Sequence, residues 1–246
     1  FYSKVRVIGA VGEDFPVKYL NGFKKCKADL TGLQVLAGKT FQWHGTYLPD
    51  MNERVTDALH FGVLGNFTPT VPEKFRDTPY VFLACSQPEL QLKVLDQVQG
   101  KPMAVCDTIE VYIQNDRKAL DKVIRRCQGM IVNESEARMI AGEDNLVAAA
   151  QGIYKKYKLQ FLVLKKGEHG GFLVSKDGIV PFPAFPLAKV ADPTGAGDCF
   201  AGGFMGTLAK TGKSDGKTLR LAVANATAVA SYVCEGVANA GLVKLT

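Results

Sequence analysis

The densest chemical pattern in the chain is Asp192-Pro193-Thr194-Gly195-Ala196-Gly197-Asp198, continued by Cys199-Phe200-Ala201-Gly202-Gly203-Phe204-Met205. Its first half is a glycine-rich loop. Its second half is apolar and full of small residues, as in a helix packed tightly against its neighbours. At such a junction the first backbone N–H groups lack intrahelical acceptors and lie at the positive end of the helix dipole, which suits an anion. Gly195, Ala196 and Gly197 carry no bulky side chain, so a phosphate can come close to the backbone. Asp198 places a carboxylate at the helix start, where a base can meet a hydroxyl beside that phosphate. The plain alternative is a glycine turn with Asp198 as a helix cap.

Three further segments carry candidate chemistry. Asn133-Glu134-Ser135-Glu136 follows the apolar run Gly129–Val132. Asn133 can cap the next helix and Glu136 can close a capping box. The segment Val163–Gly171 reads as a strand followed by a glycine turn, with Lys165 able to offer a point charge to phosphates. Ala224–Ser231 reads as a close-packed alanine-rich helix containing Asn225. One pattern is a decoy. Gly38-Lys39-Thr40 ends like a P-loop, but the spacing requires glycine at position 33, which is Leu33.

Positioning these residues requires a scaffold. From Tyr80 onward, short apolar runs alternate with longer amphipathic stretches. Strands are expected at Tyr80–Ala84, Met103–Cys106, Gly129–Val132 and Phe161–Leu164. Helices are expected at Glu89–Gln99, Asp116–Arg126 and Leu146–Tyr157, which argues for a mainly parallel sheet covered by helices. Phe172–Ser175 and Ile179–Pro181 read as a hairpin, and two helices, Asp198–Ala209 and Lys217–Cys234, finish the chain. Upstream, Val5–Val11 reads as a buried strand and Val17–Lys25 as a helix. In Phe41–Tyr47 the alternation sets Phe41, Trp43 and Tyr47 on one side, and Gln42, His44 and Thr46 on the other. Its expected partner is His60–Phe67, across the polar loop from Pro49 to Arg54, the pair forming a small β appendage within residues 38–67.

Composition bounds the function. The 246 residues are 47% hydrophobic and 22% charged, enough for a large core, with a formal net charge of +6. No dense Lys/Arg stripe with interleaved aromatics suggests nucleic acid. The six cysteines form no Cys-x-x-Cys pair, and the three histidines have no metal-ligand spacing. Cysteines in apolar runs, such as Cys85 and Cys106, fit buried thiols in a reducing cytoplasm. No apolar run approaches the ~20 residues of a membrane span.

The stretch from Asp192 to Met205 resembles the C-terminal signature of the PfkB carbohydrate kinases, the ribokinase-like and adenosine kinase-like proteins. The resemblance implies an α/β fold, a three-layer core with a mainly parallel sheet flanked by helices and a small β lid, spanning residues 1–246 as one kinase domain. It implies transfer of the γ-phosphoryl group of ATP to a sugar hydroxyl, or to a nucleoside. A silent sugar-binding or regulatory protein on the same fold is the alternative of another class. By resemblance, Asp198 is the base and Gly195, Ala196 and Gly197 form the anion hole. Asn133 and Glu136 organise Mg²⁺, largely through water. Lys165, Gly167, Asn225, Thr194 and Asp192 lie with the nucleotide. Gln42, Trp43 and His44 belong to the lid and acceptor pocket, with core packing an equal reading for Trp43. A monovalent cation near Gly236 and a homodimer formed through the lid are also family traits. The chain starts at Phe1 and shows no substrate-binding aspartate or Gly-Gly motif before its first strand. An additional N-terminal segment is therefore expected.

Overall fold

The structure, a computed structural model, describes residues 2–49, 51 and 54–237. Strand β1 (Arg6–Gly12) pairs in parallel with β2 (Asp29–Leu36), joined by helix α1 (Val17–Lys25). Strand β1 is buried only over Ala10–Gly12, so the expectation of a fully buried strand fails for its first half. Helix α1 buries no residue. Gly12 is required by close approach, since a Cβ there would run into the Gly38 carbonyl. Beside it, Thr40 donates its N–H and its hydroxyl to Asp14 Oδ1 at 2.8 and 2.7 Å, and accepts from the Gly12 N–H at 2.9 Å. Gly38–Thr40 is thus a tie between chain segments.

Strands β3 (Gln42–Tyr47) and β4 (Arg54–His60) form a separate antiparallel pair, at the place where the lid was expected. The expected partner His60–Phe67 is corrected. Arg54–His60 pairs with β3, whereas Gly62–Asn66 is a 3₁₀ turn entered through Gly62 at φ +50°, which a strand cannot hold. Of the expected polar loop, residues 50, 52 and 53 lie outside the described residues.

The core sheet contains β5 (Tyr80–Leu83), β6 (Met103–Cys106), β7 (Gly129–Asn133), β8 (Phe161–Lys165), β9 (Gly171–Ser175) and β10 (Gly178–Phe182), in spatial order 10-9-8-7-6-5. Strands β5 to β8 run parallel, and β9 and β10 add an antiparallel hairpin. Successive side chains point to opposite faces. Ala104, Cys106, Met130, Val132, Leu162 and Leu164 pack on one side, against α2 (Pro88–Gln97), α3 (Glu110–Asn115), α4 (Arg117–Arg126), α5 (Glu134–Ala141) and α6 (Leu146–Tyr157). Val105, Ile131, Phe161 and Val163 pack on the other, against α7 (Ala196–Thr211) and α8 (Gly216–Cys234). This is the expected three-layer α/β core. The small residues of α7 have a steric reason, since a Cβ on Gly203 would lie 2.9 Å from Ala226 Cα of α8. No helix among the described residues is long and apolar enough to cross a membrane.

Candidate active site

Parallel strands release their chains at one end of the sheet, and in open α/β folds ligands bind outside those carboxyl ends. Here Asn133 ends β7 and Lys165 ends β8, and the two are direct ladder partners. Asp107 follows β6 immediately. Asp107 is buried, takes the Thr108 N–H on Oδ1 at 2.7 Å, and has its Oδ2 3.9 Å from Lys165 Nζ. Burial raises its pKa, Lys165 opposes that rise, and the nearby Asp198 adds to it.

The glycine loop meets these groups from α7. Gly195 stands at the N-cap with φ +84°, a left-handed backbone that glycine adopts at little cost. Asp198 is in the first turn of α7 and exposed. The Ala196 N–H is spent on the Pro193 carbonyl at 3.0 Å, and the first helical bond runs from Cys199 N–H to Gly195 O at 2.9 Å. Among the described residues, the N–H groups of Gly197 and Asp198 meet no backbone acceptor, so these are the two at the start of α7 that an anion could engage. A Cβ on Gly197 would lie 3.1 Å from Lys165 Nζ, so the ammonium sits against the loop. Thr194 N–H donates to Asp192 Oδ1 at 2.9 Å, which holds the loop in its turn.

Asn133 and Glu136 form a complete capping box at α5. Asn133 Oδ1 accepts the Glu136 N–H at 2.9 Å, and Glu136 Oε2 accepts the Asn133 N–H at 2.8 Å. Glu136 is also buried within the field of the site, its pKa raised to about 7 by burial and then by Asp107, against the pull of Lys165. Capping and site membership therefore coexist.

The lid reaches this end of the sheet. Thr194 Oγ1 donates to the Tyr47 hydroxyl at 3.4 Å. By strand alternation Trp43 and Tyr47 share the loop-facing side, half-buried, while Gln42 and His44 are exposed on the outer face, His44 with its ring 6.3 Å from that of His60. Trp43 donates Nε1–H to Thr56 Oγ1 at 3.1 Å. Gly167 begins a turn after β8 at φ +53°. Asn225 is not brought to the cluster. Its Nδ2 donates to Thr207 Oγ1 of α7 at 3.0 Å, about 13 Å along α8 from Cys234. The loop is tied to the end of α8 instead, by Ala191 N–H to Cys234 O at 2.7 Å, and an open cleft of about 380 Å³ lies there between Ala188, Lys189, Ala191 and Glu235.

Sequence reasoning missed Asp107, although a carboxylate directly after the apolar run Met103–Cys106 was visible. Cys85, just beyond β5 and expected as a buried thiol, is an exposed residue at the edge of this site, although its thiol is pushed up to about 12, first by desolvation and then by Asp107, Asp198 and Glu136. Among the described residues no three His, Cys, Asp or Glu side chains converge as a metal cage. Asp107 and Glu136 together fit a divalent ion held largely through water, as Mg²⁺ is usually held. Both carboxylates are buried, and burial is the first cause of the raised pKa of each, with Asp198 adding to it at Asp107 and Asp107 adding to it at Glu136.

Residues 87–240 match the pfkB family carbohydrate kinases. The chain belongs to the PfkB family. Similar over much of the chain is the cytidine kinase of Thermococcus kodakarensis, 33% identical over 211 residues, which are 82% of this chain and 73% of that protein. The nucleoside kinase of Methanocaldococcus jannaschii is 27% identical over 159 residues, 65% of this chain and 51% of that protein. Its crystal structure, described as an archaeal member of the ribokinase family, superposes with TM-score 0.75 at 22% identity, covering 96% of this chain and 75% of that one. The Burkholderia thailandensis nucleoside kinase in complex with inosine gives TM-score 0.77 at 20% identity, covering 95% and 73%. The fold of this PfkB member is therefore ribokinase-like, as its glycine loop implied.

Proposed function

We propose that the chain transfers the γ-phosphoryl group of ATP to a hydroxyl of a nucleoside, with a free sugar as the second acceptor class. The observation that carries phosphotransfer is the convergence of Asp198, the open N–H groups of α7 and Lys165 at the carboxyl end of the parallel sheet. Similarity to a cytidine kinase along 82% of the chain favours the nucleoside. So does the half-buried aromatic pair Trp43 and Tyr47 on the loop side of the lid, which offers a planar base a stacking surface. Fructokinases match shorter segments, which keeps the sugar in view.

The chemistry follows from the residues. Asp198 accepts the proton of the attacking hydroxyl. The N–H groups of Gly197 and Asp198 face the charge that develops on the phosphoryl oxygens, and Lys165 adds a positive charge beside them. Asp107 and Glu136 would hold Mg²⁺, which when bound neutralises phosphate charge. The cleft at Ala188, Lys189, Ala191 and Glu235 receives the base of ATP at the far side of the loop. The lid hairpin excludes water as a competing acceptor. A homodimer through the exposed outer lid face of Gln42 and His44 is compatible with this arrangement.

The test is turnover of ATP with Mg²⁺ against a panel of pyrimidine nucleosides, purine nucleosides, ribose and fructose, with product identified by mass. A nucleoside monophosphate as the main product supports the reading. Phosphorylated free sugar with no nucleoside product replaces the acceptor class, and an absence of any phosphorylated product refutes phosphotransfer by this chain.

A further inference from the structure

We propose that His44 and His60, on the outer face of the β3–β4 pair, bind one divalent transition-metal ion of the Zn²⁺ class, which clips the two strands together. The inference is independent of the phosphotransfer reading, and its ion is distinct from the Mg²⁺ of the nucleotide site. In the β3–β4 ladder His44 stands opposite Ala58, and Gln42 opposite His60. His44 and His60 are therefore diagonal neighbours on one face, a separation that ring side chains can bridge. Ala58, directly across from His44, puts only a methyl group beside the rings.

The rings already stand near the spacing that one shared ion needs. Their centroids lie 6.3 Å apart, with the planes at 81°. With Zn–N bonds of about 2.0 Å, two imidazole centroids sit roughly 3 Å from the ion and about 5 Å apart at the tetrahedral angle. Both residues are exposed, so rotation about their own side-chain bonds can close the ~1 Å that remains. Among the described residues neither imidazole makes a hydrogen bond or an ion pair, so each keeps a ring nitrogen for a metal. His169, by contrast, lies 3.8 Å from Glu168. Gln42, Thr46, Val55 and Ala58 leave this face otherwise uncharged, and Asp57, which accepts the Thr46 hydroxyl at 2.8 Å, adds a carboxylate to it. Arg54, the one cation of the two strands, is opposite Tyr47 on the other face. Two protein ligands leave the remaining coordination positions to water.

The clip has a mechanical task. Among the described residues, β3 and β4 form a two-stranded sheet of their own, hydrogen-bonded to no other strand. Such a pair is marginally stable in water. Its register also shifts between His44 and Gly45, where Asp57 is left out of the ladder. An ion bonded to His44 and His60 crosses the ladder beside that irregularity and holds the strands in one register. Imidazole suits Zn²⁺, Ni²⁺ and Cu²⁺, whereas Mg²⁺ prefers oxygen ligands, so this pair discriminates against Mg²⁺.

The experiment titrates Zn²⁺ by calorimetry into the full, untagged chain without nucleotide, in wild type and in His44→Ala, His60→Ala and His169→Ala. The first two variants are each expected to weaken Zn²⁺ binding by about tenfold or more, since losing a group that merely orients a ligand already costs that much. His169→Ala should bind as wild type does, and Mg²⁺ should not compete. Because His44 and His60 are exposed, their variants should fold as wild type does. The second readout is hydrogen exchange of the β3 and β4 amides. At a Zn²⁺ concentration ten times the wild-type dissociation constant, their protection should rise about tenfold in wild type and no more than about twofold in His44→Ala. Equal Zn²⁺ affinity in wild type and both variants overturns the proposal, as does a wild type that binds no Zn²⁺. Binding that leaves amide protection unchanged overturns it too, because the ion then does not join the strands. Loss of binding in Cys26→Ser or Cys85→Ser alone moves the ion to an exposed thiol and likewise overturns it.

Discussion

The Lys165 ammonium lies 3.9 Å from Asp107 Oδ2 and packs against Gly197 of the glycine loop. One cation thus joins the carboxyl ends of β6 and β8 to the start of α7. The pair is mostly buried, so removing one partner strands the other. Lys165→Met should cost about 1–3 kcal/mol of stability, the penalty for an uncompensated buried group. Adding Asp107→Asn should recover most of that cost, while turnover stays low in both variants because the charge beside the loop is gone. Urea denaturation and steady-state rates on the double-mutant cycle check this. Equal turnover in wild type and Lys165→Met would remove Lys165 from the site.

Asp198 is exposed at the helix start, and its substitution should leave packing intact. Asp198→Asn is expected to lower turnover by about 100-fold or more, the scale of general-base loss, with nucleotide affinity retained. Measuring kcat and nucleotide binding separately distinguishes this from the plain capping role, which would show as lost stability with near-normal turnover.

Much of this arrangement was legible beforehand, for a physical reason. Met103–Cys106 coincides with β6 because its short apolar run is buried on both faces of the sheet, and Leu146–Tyr157 coincides with α6 because the face its periodicity marks is buried. The lid was harder. Arg54–His60 is largely exposed and carries no clean alternation, while the apolar His60–Phe67 is broken by the positive φ of Gly62. Strand β2 passed unnoticed because its Leu30, Leu33 and Leu36 are spaced by three, not two. Asp107 carries no motif. Its neighbours Lys165, Glu136 and Asp198 lie far away in sequence, which spacing cannot show.

Glu136 gives a pH signature. Its folded pKa, raised to about 7 from 4.5, means that the native state keeps a proton that the unfolded chain has lost. Stability from this group is therefore full below about pH 4.5, falls as pH rises toward 7, and is level above that. Asp107, also raised, adds to the slope in the same direction. Glu136→Gln keeps an acceptor for the Asn133 N–H and so preserves the capping box. The wild-type-minus-variant difference in unfolding free energy should decline on the order of 2–3 kcal/mol between pH 4.5 and 7. Urea titrations across that range measure it. The same variant should need more Mg²⁺ for turnover, and a flat difference curve with unchanged Mg²⁺ dependence would leave Glu136 as a cap alone.

Asn225, expected beside the nucleotide, is held by its side chain to α7. Its amide is committed to Thr207 Oγ1, and Thr207 in turn donates to the carbonyl of Gly203, where α7 packs closely on α8. Asn225→Ala should therefore cost about 1 kcal/mol of stability, the worth of one such hydrogen bond, and leave the KM for ATP unchanged. The cleft beside the end of α8 should behave in the opposite way. Ala188 lines it without a large side chain, so Ala188→Trp fills the space where the adenine is expected. That variant should raise the KM for ATP by about tenfold, a loss of roughly 1.4 kcal/mol of binding, with little change in stability. A raised KM in Asn225→Ala together with a normal one in Ala188→Trp would move the adenine to the middle of α8 and away from the cleft.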